Sequence, residues 1–156
     1  MDYKIRSLLK DKIMKKKEFK QSLTEVLNQY GFYLKGNNYI LRTKDLIIVI
    51  ATQKSNFDNS YYINYGFLIK SLNPNLTKPK DNDCDVFGRF IFNINGNVYN
   101  SVNIDDFDTK EFSLALTKCI ENVIKPIIDN GLKKYFEIYP EAINVVSLKV
   151  KEYLEI

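Results

Sequence analysis

Activating a serine or cysteine nucleophile usually takes a neighbouring base. In this chain that base is not histidine, because the sequence contains none. Ser-His-Asp and Cys-His arrangements and histidine-ligated metals are therefore excluded. Any catalysis would have to use carboxylates, Lys, Tyr or Ser, with Lys54 or a carboxylate such as Asp58 as the candidates. The two cysteines, Cys84 and Cys119, are too few for a disulfide framework or a structural zinc site, and reduced thiols are expected. The stretch "DNDCDVFG" sets Asp81, Asp83 and Asp85 at alternate positions like a calcium loop. Val86 stands where that loop needs Gly, however, and Phe92 where it needs a bidentate Glu. No metal and no cofactor is expected, and an enzyme is the less favoured class.

The densest polar and aromatic run is "KSNFDNSYYINYG", residues 54–66. Strand alternation puts Tyr61, Ile63 and Tyr65 on one face and Tyr62, Asn64 and Gly66 on the other. The first reading is a hairpin whose tyrosines pack a sheet against helices. The second is a contact surface made by Gln53, Lys54, Asn56, Tyr62, Asn64 and Arg89, since Tyr and Asn offer wide contact and adaptable hydrogen bonds at low entropy cost. Arg89 follows Gly88, and a strand glycine marks a bulge or a close backbone approach. An arginine there can grip a carboxylate or phosphate bidentately, although an ion pair with a neighbouring Asp is the plainer expectation.

Charge is uneven along the chain. The formal total is +4, yet residues 1–20 hold eight Lys or Arg against three acids, a net of +5, and the rest nets −1. Lys12, Lys15, Lys16, Lys17 and Lys20 form a basic stripe that would contact nucleic-acid phosphates; lysine brings charge without the base-reading fork of arginine. A solvated helix face explains the same residues without a partner. No apolar run approaches the roughly 20 residues of a membrane span, and charge interrupts every apolar group of the N-terminal segment, so no membrane association and a cytoplasmic location are expected.

The elements that would position these residues follow from hydrophobic period. A composition of 45% hydrophobic and 27% charged residues fits one domain, 1–156. Apolar residues from Ile5 to Tyr30 recur at helical spacing, and Gly31 supplies a C-terminal stop. Met14 offers an alternative translation start that would make residues 1–13 a helical extension; N-terminal sequencing of the native protein decides this. From Phe32 the period becomes two: "FYLK", "YILR", the uninterrupted "LIIVIATQ" with both faces at least partly covered, and "YYINYGFLIK". The longest loop, "SLNPNLTKPKDNDCD", is the best candidate for mobility. Asn95-Gly96 fits a type I′ turn between "VFGRFIFNI" and "VYNSVNI", with Phe92 opposite Tyr99. Asp108 and Glu111 form a capping box with Phe107 and Phe112 as its staple. The helix they start buries Leu114, Leu116, Ile120, Val123, Ile124, Ile127 and Ile128, is kinked by Pro126 and ends at Gly131. "LKKYFEIYP" reads as a short helix and "EAINVVSLKVKEYLEI" as a final one. The sum is an α+β fold: an antiparallel sheet of about six strands with N-terminal and C-terminal helices packed on one face.

"YGFYLKGNNYIL", "LIIVIATQKSNFDNSYYINYGFLI" and "CDVFGRF" together resemble a bacterial domain-of-unknown-function family, the one numbered four-three-zero-four. Tyr30-Gly31-Phe32, Lys35-Gly36-Asn37-Asn38, Gln53-Lys54-Ser55-Asn56, Tyr62-Ile63-Asn64 and Gly88-Arg89 are the most specific pieces, and the resemblance spans roughly residues 16–136. It implies a shared fold and carries no catalytic residue or cofactor. The leading expectation is a non-catalytic protein-binding module of the immunity or antitoxin kind. A nucleic-acid-associated protein using the basic N-terminal helix and a histidine-free enzyme are the alternatives.

Overall fold

The computed structural model describes residues 14–156, and the N-terminal extension, with Lys12, lies outside them. Helix α1 runs Lys16–Gln29. Its start is tied by the Lys15 N–H donating to Glu18 Oε1 at 3.1 Å. Its end is a Schellman turn: Phe32 N–H reaches the Leu27 carbonyl and Gly31 N–H that of Asn28, both at 3.1 Å, with Gly31 at φ +92°.

Strands β1 (Tyr33–Lys35), β2 (Asn38–Arg42), β3 (Leu46–Lys54), β4 (Ser60–Ile69) and β5 (Val86–Arg89) follow in antiparallel order, each beside its predecessor. β8 (Val102–Asn103) completes the six-stranded sheet by pairing with β4. β3 lies at its centre, as its unbroken apolar run implies. Leu46, Ile48 and Ile50 enter the main core, while Ile47 and Val49 join Ile40, Leu68 and Cys84 in a smaller cluster on the other side. The segment between β4 and β5 covers that second face, placing Leu76 and Cys84 against it. Gly66 permits the approach: a Cβ there would stand 2.6 Å from Cys84 Sγ.

The expected single strand "VFGRFIFNI" is two. β5 stays in the main sheet, while β6 (Phe92–Ile94) pairs only with β7 (Asn97–Tyr99), with Phe92 opposite Tyr99 and Asn95 and Gly96 at φ +54° and +81°. The cause is competition for one edge. β5 pairs with Asn64 to Phe67 of β4 and β8 with Ser60 and Tyr61, so the chain leaves the edge after Phe90 and returns at Val102.

Helix α2 (Thr109–Cys119) begins with the expected capping box: Glu111 N–H donates to Asp108 Oδ1 at 2.7 Å and Asp108 N–H to Glu111 Oε1 at 3.1 Å. It widens into a π turn, Ile120–Ile124, before α3 (Lys125–Asn130). Pro126 cannot donate to the carbonyl four residues back, and the wider turn lies just ahead of it. Leu114 is 59% exposed, not buried, because the inward stripe runs through Phe112, Ala115, Leu116 and Cys119. The short helix α4 is Lys133–Ile138. The expected final helix divides into a 3₁₀ segment, Pro140–Val145, and α5, Leu148–Leu154, because Ser147 caps a fresh start by accepting from Val150 N–H at 3.3 Å. The helices contribute to the main core on one face, where Phe19 lies 4.5 Å from the Tyr61 ring and 4.9 Å from that of Phe112.

Candidate functional site

The register of β3, β4 and β5 determines which side chains meet on the sheet face away from the helices. Gln53 stands opposite Tyr62, and Asn64 opposite Arg89. All four emerge on the same face, beyond the point where the β4–β5 segment covers it. There Arg89 Nε donates to Asn64 Oδ1 at 2.9 Å and Arg89 Nη2 to Gln53 Oε1 at 3.1 Å. Asn64 Nδ2 donates to the same Gln53 oxygen at 3.3 Å. The guanidinium carbon lies 4.0 Å from the Tyr62 ring centroid, a cation–π contact of about 0.5–1 kcal/mol at an exposed site.

The expected ion pair of Arg89 with an Asp is not formed among the described residues. Neutral amide oxygens hold the cation instead. Two of its five N–H groups are used, and three have no partner among the described residues. Nor is Gly88 a bulge, since pairing is regular through it. It is a close approach: a Cβ there would collide with the Tyr65 hydroxyl and lie 3.1 Å from that of Tyr135.

The other two sequence candidates do not join the group. Lys54 is directed to the opposite face, 5.9 Å from the Tyr61 ring centroid, and its ammonium bonds to the carbonyls of Ser55 and Asp58. Asn56 is exposed in the β3–β4 turn. Asp58 serves that turn by accepting from Ser60 N–H at 2.9 Å. Hydrogen bonding to Ser60 is the main cause that holds its carboxyl below the usual range, so it stays charged and is a poor proton donor.

Two features of the site went unnoticed in the sequence. Phe87 is 66% exposed beside Arg89, and simple alternation back from Arg89 would have placed it on this face. Asp81 and Asn82 join Asn64, Phe87 and Arg89 in lining a hollow of about 410 Å³. The alternating aspartates are turned to separate local partners: Asp83 accepts from Lys80 N–H, and Asp85 from Ile69 N–H and Asn73 Nδ2. No cluster of three metal-ligating side chains occurs among the described residues.

Both thiols are poor nucleophiles. Burial, with Asp85, Asp81 and Asp83 adding to it, pushes Cys84 up to about 12, and burial alone does the same for Cys119. Lys15, Lys16, Lys17 and Lys20 are exposed on and beside α1, and Lys16, Lys20 and Lys54 border a separate hollow of about 330 Å³. No helix among the described residues is long and apolar enough to cross a membrane.

No curated protein and no solved structure matches the chain. A family model does, over residues 23–130, within the span of the resemblance noted above. The chain therefore belongs to the family described as Domain of unknown function (DUF4304).

Proposed function

We propose that this protein is a non-catalytic protein-binding module, of the immunity or antitoxin kind, in which a small domain holds another protein through the open end of its sheet. One observation carries the reading. Arg89 is braced by Asn64 and Gln53, laid on Tyr62, and left without a carboxylate among the described residues. Bracing by neutral groups pre-organises the cation without neutralising it, and so lowers the ordering cost of binding an acid. Arginine and tyrosine are also the residue types that dominate binding hot spots.

The test is a pull-down of the tagged protein from its native host, with and without nuclease, comparing wild type with Tyr62→Ala, Asn64→Ala and Arg89→Gln. A stoichiometric protein that survives nuclease and is lost from all three variants is the expected result. Full retention by the variants sinks the assignment of this face.

A second reading has its own observation: four lysines exposed along the first turns of α1 and the residue before it, with Lys54 bordering the same hollow as two of them. It makes the protein a nucleic-acid associate through phosphate contacts. Binding would then fall steeply with salt and collapse when Lys15, Lys16 and Lys17 become Glu. Salt-insensitive binding rejects it.

A further inference from the structure

We propose that the free edge of β5 takes an extended segment of a partner protein as an added strand, with one carboxylate of that segment on Arg89. The inference rests on the protein-binding reading above and names how the partner is held.

β5 ends the strand order, with β4 on one side only. Phe90 N–H donates inward to the Ile63 carbonyl at 2.9 Å. In an antiparallel ladder the hydrogen-bonded residues alternate, so the N–H and C=O groups of Phe87 and Arg89 face away from β4. The same two residues carry the exposed side chains of the open face. An incoming strand would therefore meet backbone partners and side-chain partners at one pair of positions, as in recognition by strand addition. Edges are commonly blunted by Pro, a bulge or a charge. Val86-Phe87-Gly88-Arg89 has no Pro and keeps regular pairing through Gly88, and its one charge, Arg89, is the group that a carboxylate of the incoming strand would meet.

Charge selects the occupant. Arg89 has three N–H groups without partners among the described residues, so an acid is the complementary group. Asp81 lines the same hollow and repels a second acid there, which favours a segment with one carboxylate over an acidic run. A second copy of this chain is a poor fit: Val86, Phe87 and Gly88 carry no acid, and Asp85 is already bonded to Ile69 and Asn73.

The experiment selects binders from a displayed library of random extended peptides on the immobilised full-length protein, then titrates the enriched peptides by NMR. The expected peptides share one Asp or Glu, bind Arg89→Gln about tenfold or more weaker, and slow amide hydrogen exchange at Phe87 and Arg89. Phe87→Pro removes an outward-facing N–H that β4 does not use; it should abolish binding while circular dichroism stays unchanged. No enriched peptide, peptides without an acid, or indifference to both variants overturns the proposal. So does self-association through β5 that excludes the peptides. Peptides that depend on Arg89 but leave Phe87 and Arg89 exchange unchanged overturn strand addition alone and leave the protein-binding reading standing, whereas failure of the pull-down variants removes that reading itself.

Discussion

The hydroxyls of Tyr65 and Tyr135 meet at 2.8 Å inside the main core, and the missing side chain of Gly88 makes room for them. Burial raises both phenols above their ordinary range, and their shared hydrogen bond offsets the desolvation of each. Removing one hydroxyl strands the other. Tyr65→Phe or Tyr135→Phe should each cost about 1–3 kcal/mol in urea denaturation, while the double variant should cost less than the sum. Additive losses would mean that each hydroxyl finds another partner when its neighbour is gone. Gly88→Ala forces Tyr65 to move and should cost about 1–3 kcal/mol by the same measurement; a neutral result would show that the ring can shift freely. The sequence marked Gly88 as a point of close approach, but it could not name Tyr135, which follows 47 residues later on another element. Gln53, Tyr62, Asn64 and Arg89 were legible as members of one surface because residue type and strand alternation are local, whereas the Asn64–Arg89 pairing was not, because it depends on a register set across a long connection.

Elements whose cause is local matched the sequence: the Schellman end of α1, the Asn95-Gly96 turn and the capping box of α2 all depend on residues within a few positions of one another. The division of "VFGRFIFNI" did not, because its apolar alternation continues unbroken from Val86 to Ile94 and only the competing strand β8 ends the pairing. The connection from β4 to β5 is the expected loop, and only its packing was not legible. Its Pro and Asp content reads as a loop, yet it covers the second face of the sheet through Cys84 and is pinned by Asp85, which accepts from Ile69 N–H at 2.7 Å and Asn73 Nδ2 at 2.9 Å. Asp85→Ala removes both bonds and should loosen that cover. In a Cys119→Ala background, the reaction of Cys84 with a thiol reagent should be slow in the parent and much faster after Asp85→Ala. Equal rates would mean that Leu76 and the packing against Gly66 hold the segment without Asp85.

The two buried thiols lie on opposite sides of the sheet, Cys84 in the small cluster and Cys119 in the main core, so their ionisation reports on the whole molecule. Each is raised from 9.0 to about 12 in the fold. An unfolded chain sheds these protons as pH passes 9, while the folded chain keeps them until about 12. Above 9 the native state therefore binds more protons than the unfolded one, and stability falls as pH rises. Their contribution is fully present below 9 and is lost on the way to about 12, at up to about 1.4 kcal/mol per pH unit for each thiol. Tyr65 and Tyr135, raised from 10.0, add to the decline only above that value. Urea midpoints should thus begin to fall near pH 9 in the wild type and only near pH 10 in a Cys84→Ala, Cys119→Ala double variant, whatever the cost of the small cavities that alanine leaves. If the double variant kept the wild-type slope between those two values, the thiols would be ionising as easily in the fold as in the unfolded chain, and the sheet would be open to water at both clusters.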